Sequence, residues 1–586
     1  MASVEALWSN LTLRLNDIEL NETHQSIAVA AIATFLVLLF TTKALSGSPT
    51  TTTTANGNQK IPSSPSYWLP FLGHALSMVF GKDSFLAGMR SRFPEGIFSL
   101  KMAGKMHHFV YKPSLAAALL NLQRPAEEEQ MLANRLLGST FGVSKKDQAI
   151  YNKIFPEALA QWKHLSSEPG LSEVTNVTLS QVKQNIINLV TFSPNPMDQT
   201  EWEKLADVDV IEENGKGGPI TQVDLTELSR NFVAITVIPA IYGTDFVENF
   251  PEIWKWMWIY NESFVLLATG VPAWVPWPRL QRGKLARRRV LAMLYEFNEA
   301  MDRHLNGEEN DPKWQNLDNV SRLVKGRIEL FRKHGVSLEG RAAFDLALLW
   351  ASVANSNALI PWMLFELYRD PVLLEQVREE IAPYVNAVQP ENEFGSAVWV
   401  PPVLEDIDID GLITKCPLLK ASYIETLRVY SGGWAMKLMY HDTVLEERGK
   451  GGESFLLKKG TYAHIPQELH QFDPQYFSNP TEWQAERHIR ETVDENGKKS
   501  LTADMGTLRP YGGGLKMCKG RQFALREILL YTAAIITFYD MQAPKGGPWS
   551  EPQTRKLVAN RHPKKPLKVW IKRRGQVTKD EGKEES

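Results

Sequence analysis

Residues 511–521 read Tyr511-Gly512-Gly513-Gly514-Leu515-Lys516-Met517-Cys518-Lys519-Gly520-Arg521, with the apolar run RQFALREILLYTAAIITF, Arg521 to Phe538, directly behind. Three successive glycines let backbone pass close to a flat ligand and adopt positive φ, so that the sulfur is presented with neighbouring N–H groups turned toward it. The run predicts a helix that begins just after Cys518, where partial positive charge favours thiolate over thiol. Cys518 and Cys416 are the only cysteines, which excludes a disulfide scaffold and fits a reducing compartment. A lone thiolate cannot close a zinc or iron–sulfur site, which takes about four ligands. A haem iron needs only one; the competing reading is a glycine-rich turn around a structural cysteine.

The segment resembles the haem-binding loop of the cytochrome P-450 superfamily, aromatic-x-x-Gly-x-basic-x-Cys-x-Gly, with Tyr511, Gly514, Lys516, Cys518 and Gly520 on its positions. Tyr511 stands where Phe or Trp is usual, and Lys519 where a small apolar residue or proline is usual. Upstream, Pro417 opens a predicted helix, LLKASYIETLRVY, in which Glu425 and Arg428 share a face at i and i+3. Alone, such a pair is ordinary on a solvated surface. Leu418, Leu419, Ile424 and Leu427 make a buried helix the expectation, and a buried charge pair needs further partners. The segment from Asp473-Pro474 to Glu486-Arg487 is similar to the family's Asp-Pro, aromatic, Glu-Arg stretch. The resemblance implies a buried triad of Glu425, Arg428 and Arg487 that fixes the cysteine loop. It also implies haem b ligated by Cys518, with Gly514 in the cradle and Lys516 neutralising a propionate.

Length alone would suggest several domains of about 150 residues in a 586-residue chain with 43% hydrophobic and 10% aromatic residues. The resemblance implies instead one catalytic domain over 67–571, mainly α with a small β region, and a charged tail at 572–586. A net charge of −2 leaves no footprint for nucleic acid.

The uncharged stretch 25–42 approaches the ~20 residues that cross a bilayer. Glu5, Asp17, Glu19 and Glu22 outnumber Arg14 ahead of it and Lys43 follows, which puts the tail 1–24 in the lumen and the bulk in the cytosol. The expectation is a single-pass endoplasmic reticulum protein; a cleavable signal peptide is the alternative, although its usual head is short and basic. Asn10 and Asn21 begin glycosylation sequons on the luminal side. Residues 43–66 read as a linker and proline hinge, with 45–60 small, polar and flexible. Trp254, Trp256 and Trp258, then Val271 to Pro278, form either a second membrane contact or a substrate lid with core tryptophans.

The run Phe344 to Tyr368 is apolar nearly all round and reads as a core helix. Most family members carry Ala/Gly-Gly-x-acid-Thr-Thr there; counting back from Trp362 puts Ala354 at the acid, Asn355 at the first threonine and Ser356 at the second. Asn355 hydrogen-bonds but cannot titrate, leaving Ser356 or an ordered water to pass protons. The arrangement resembles the branch holding bile-acid sterol hydroxylases, which are oxygenases, and prostacyclin synthase, which is an isomerase. Pro361 is expected to bend the helix near the pocket. The cysteine loop also resembles oxidases of fungal natural-product pathways. The leading expectation is a membrane-bound monooxygenase that hydroxylates, epoxidises or desaturates a lipophilic terpenoid, steroid or alkaloid, with electrons from an NADPH-cytochrome P-450 reductase. An isomerase or dehydratase working without NADPH, and a non-catalytic haem-binding membrane protein, are the alternatives.

Overall fold

The computed structural model describes residues 22–48, 59–122, 133–211, 219–272, 274–390, 400–447, 452–493 and 497–574. The chain divides into two compact units, one of residues 1–119 and 435–469 and the other of 120–434 and 470–586. Asn10 and Asn21 lie outside the described residues, as do 49–58 and the tail beyond 574.

The first unit begins with α1, Glu22–Leu45, whose stretch Ser26–Leu45 is long and apolar enough to cross a membrane and is not buried by protein. Its C-terminal end is pinned. Phe40 meets the Trp68 ring edge-on at 5.6 Å, and Lys43 Nζ lies 5.4 Å above the same ring. Lys43 donates to Ser66 O, the Ser46 hydroxyl donates to Tyr67 O and accepts from Tyr67 N–H, and Ser48 N–H donates to Ser64 O. The start of the stretch expected to be a free tether is therefore held to the proline-rich segment that follows it. Helix α2, Ala75–Arg92, leads into a four-stranded sheet of β1 (Ile97–Met102), β2 (Lys105–Val110), β3 (Trp434–Leu438) and β4 (Tyr462–Pro466), in the order β1-β2-β4-β3. β1 and β2 are antiparallel, and β4 joins β2 in parallel. Phe98, Leu100 and Phe109 pack beneath this sheet against Leu86 of α2.

The second unit is a helical core with small sheets at its margins. Its helices include α3 (Leu225–Val237), α4 (Ile253–Ala268), α5 (Pro278–Asn306), α6 (Leu338–Val353), α7 (Ser356–Arg369), α8 (Pro417–Tyr430) and α9 (Arg521–Phe538). A hairpin of β5 (Thr554–Leu557) and β6 (Asn560–Pro563) lies near the chain end. Their ends follow local chemistry. Asp224 caps α3 and Ser337 caps α6 through their side chains, and Pro278 and Pro417 occupy first-turn positions where a missing N–H costs nothing.

One expectation is corrected and another is divided. The run Phe344 to Tyr368 is not one helix bent at Pro361: it breaks at Ala354-Asn355, between α6 and α7, and Pro361 sits inside an uninterrupted α7. The tryptophans also separate. Trp254 and Trp258 are core residues of α4, Trp258 donating to Asn231 Oδ1, whereas Trp274 is 81% exposed and Trp277 is 48% exposed. Proline-rich backbone holds the latter two outside any helix until Pro278.

Candidate active site

The cysteine loop takes its shape from backbone bonds. Gly512 N–H donates to Arg509 O, Met517 N–H to Gly514 O and Cys518 N–H to Tyr511 O, while the Arg521 guanidinium donates to Cys518 O. Gly512 and Gly514 have φ of +72° and +62°, and a Cβ on Gly514 would stand 2.4 Å from Leu120 O, so both the conformation and the space call for glycine. The Tyr511 hydroxyl bonds that of Tyr423, tying the loop to α8. Cys518, Lys516 and Leu515 are exposed, while the helix that follows is largely buried.

The helix N-terminus and the desolvation of the sulfur act in opposite directions on the Cys518 thiol. The protein around the sulfur desolvates it and pushes the thiol above its ordinary value, against the lowering effect of the Gly520 and Arg521 N–H groups and the nearby cations. A coordinated metal is what deprotonates such a thiol outright.

The triad residues are together. Glu425 and Arg428 have fully buried side chains and form a two-point pair, with Arg428 Nε and Nη2 each donating at 2.7 Å. Arg487 Nε lies 3.1 Å from Glu425 Oε1, and Gln484 N–H donates to the same oxygen. Arg428 also donates to Gln471 O, Pro480 O and Glu482 O, and Arg487 to Ser478 O. Sequence reading missed a further partner, His488, whose Nε2 donates to Glu425 Oε2 at 2.7 Å. Burial alone would raise the Glu425 carboxyl, but Arg428 and His488 outweigh it and hold it below the usual range.

At the break between α6 and α7, Ser356 is buried and Asn355 half-buried. On α6, Ala347 and Ser352 are half-buried and Ala351 is exposed, so small side chains spaced about a turn apart open one face of a core helix onto space. The Ser356 hydroxyl donates to Asn357 Oδ1 at 3.5 Å and lies close enough to Glu527, a 2% exposed residue of α9, to act on its carboxyl. Burial pushes this carboxyl up to about 8, the Ser356 hydroxyl pulling the other way, and its Oε1 has no hydrogen-bond partner among the described residues. Glu527 was also missed. Its signal was an acid whose helical neighbours Phe523, Ala524, Leu530 and Tyr531 are all apolar or aromatic. Six residues of α9, about 9 Å of rise, separate Arg521 at the cysteine loop from Glu527 at the break.

The donor set suits a flat group that brings its own in-plane ligands. One accessible thiol stands at the mouth of a glycine loop, and among the described residues no group of three His, Cys, Asp or Glu could hold a metal by itself. Haem meets those conditions; a protein-ligated zinc or iron–sulfur centre does not.

The comparisons agree. The family described as Cytochrome P450 matches residues 62–569. The cytochrome P450 monooxygenase efuG of Hormonema carpetanum is 24% identical over 518 residues, covering 83% of this chain and 85% of its own. The 7-alpha-hydroxycholest-4-en-3-one 12-alpha-hydroxylase of Homo sapiens is 22% identical over 488 residues, covering 81% and 85%. Cytochrome P450 7B1 of Mus musculus is 26% identical over 508 residues, covering 85% and 87%. The helical fold, the cysteine loop and a match that leaves out only the two ends place this chain in the cytochrome P450 family, as a haem-thiolate oxidoreductase of the monooxygenase type that draws electrons from a redox partner.

Proposed function

We propose that the protein is a membrane-anchored monooxygenase that hydroxylates, epoxidises or desaturates a lipophilic substrate such as a terpenoid, steroid or alkaloid in secondary-metabolite biosynthesis. It would take electrons from an NADPH-cytochrome P450 reductase at the endoplasmic reticulum membrane. The apolar α1, with Lys43 at its end, supports a single crossing with the catalytic part in the cytosol. Relatives named as a fungal monooxygenase and a sterol hydroxylase support the substrate class.

The observation that favours oxygen insertion over rearrangement is the buried carboxyl of Glu527, 2% exposed with an unpartnered Oε1, near the Ser356 hydroxyl. Reduction of dioxygen consumes protons, and Ala354 supplies none. At neutral pH Glu527, with a carboxyl pushed up to about 8, keeps its proton inside the core. Ser356 Oγ, which both donates and accepts and adjoins Asn355 in the chain, is the candidate to pass that proton. The haem, when bound through Cys518, supplies dioxygen reduction and transfer of one oxygen atom. The chain's residues hold it, keep water from the reacting carbon and store the proton. The buried carboxylate Glu425, with Arg428, Arg487 and His488, fixes the segment 471–488. Lys516, exposed on the cysteine loop, is the candidate propionate partner.

The test is turnover with reductase, NADPH and labelled dioxygen. One labelled oxygen in the product, or an alkene formed with NADPH consumption, supports the proposal, with Glu527→Gln and Ser356→Ala increasing NADPH oxidised per product. Full conversion of the substrate under anaerobic, NADPH-free conditions would establish an isomerase or dehydratase instead.

A further inference from the structure

Asn560, on β6, is 3% exposed and 205 residues from Asn355, yet its Nδ2 lies 3.1 Å from Asn355 O and 3.2 Å from Asn355 Oδ1. The order of these contacts fixes which end of each amide is which. A backbone carbonyl only accepts, so the end of Asn560 that faces it is the NH2 group. That NH2 only donates, so the end of Asn355 beside it is the oxygen. The Asn355 NH2 is therefore the end turned away from Asn560. Among the described residues no group accepts from it, and it is not one of the buried unpaired atoms, so it meets open space at the helix break.

The strand that carries Asn560 is itself held by Ser431-Gly432. Gly432 N–H donates to Ala559 O at 2.6 Å, and Ser431 and Asn560 form an antiparallel bridge. Val558, at the hairpin turn, has a φ of +55°, a conformation that a β-branched residue adopts only when its surroundings impose it.

We propose that Asn560 is a positioning residue that sets the polarity of Asn355, so that the active-site recess is offered an N–H donor and whatever binds there is recognised through a hydrogen-bond acceptor. This rests on the reading of the recess as the haem-thiolate site. It assigns to the hairpin, with no titratable group involved, the choice between a donor and an acceptor at a position that cannot titrate.

The test uses carbon monoxide bound to the reduced full-length holoenzyme, read by the infrared C–O stretch. A donor near the bound oxygen atom lowers that frequency and an acceptor raises it. Wild type is expected below Asn355→Ala. Asn560→Asp has no donor at this end, so the Asn355 amide turns to give its N–H to the new carboxylate; its band is expected above Asn355→Ala. Asn560→Ala, with nothing to choose the orientation, is expected to show two bands. Should Asn560→Asp fail to fold, Asn355→Asp provides an independent reading, since it keeps an acceptor for Asn560, offers oxygen to the recess and is expected to raise the band as well. An unshifted band in Asn355→Ala, or a wild-type band in every Asn560 variant, overturns the proposal. Absence of any thiolate-type carbon monoxide complex in wild type removes the haem reading together with it, an outcome distinguishable from a complex that forms with an unmoved band.

Discussion

The two sides of the second unit are built by opposite means. Around Glu425 every partner is charged or strongly polar, and two guanidinium groups, an imidazole and a backbone N–H converge on one carboxylate. At the α6–α7 break the groups are neutral: two asparagines, a serine and a carboxyl that keeps its proton. A saturated ionic cluster is rigid because removing any member strands a buried charge. A neutral cluster can pass protons without stranding a buried charge, which suits the reactive role proposed for the break. In the proposed function this division gives the Glu425 side a structural role and the break a reactive one.

Cys518→Ala sharpens the comparison most, since it removes the proposed haem ligand. Purified protein is expected to lose the thiolate-type carbon monoxide band completely, and a retained band would disprove the ligand assignment. Next, Arg428→Ala leaves a buried carboxylate with its main partner gone. Chemical denaturation is expected to show a loss of about 3–5 kcal/mol. A loss within experimental error would mean that the ionic cluster is not structural, and the contrast between the two sides would fail.

His488→Ala removes one hydrogen bond to a charged acceptor, and about 1.5–3 kcal/mol is expected in the same measurement. Glu527→Gln tests the other side. An unfolded glutamate titrates near ~4.3, whereas the folded carboxyl is pushed up to about 8. Between these values the folded chain retains a proton that the unfolded chain releases, so stability falls as pH rises, with a limiting slope of about 1.4 kcal/mol per pH unit. Below the ordinary glutamate range and above about pH 8 this contribution is flat. Denaturation across pH 5–8 is expected to lose that slope in Glu527→Gln; an unchanged slope would show that Glu527 is ionised throughout and cannot act as a proton store.

The N-terminal expectations were only partly legible. An uncharged run of the right length announces α1 by composition alone, because bilayer thickness fixes the length. That its end would be pinned by Trp68 and Ser66 was not visible, since small polar residues look the same whether free or hydrogen-bonded.

What the sequence determined by itself is the chemistry whose rules are local. A glycine approach to a lone cysteine before an apolar run specifies the ligand loop, because positive φ and close approach admit only glycine there. The Glu425–Arg428 spacing specifies a pair on one helical face, and the apolar residues around it imply that the pair is buried. The tertiary structure alone decided where the core helix breaks, which tryptophans are buried, that Glu527 is buried within reach of Ser356, and that Asn560 bonds Asn355. Each of those is a pairing between distant segments. Whether a polar side chain is buried, and which partner satisfies it, is settled by packing between elements that local propensity and spacing do not specify.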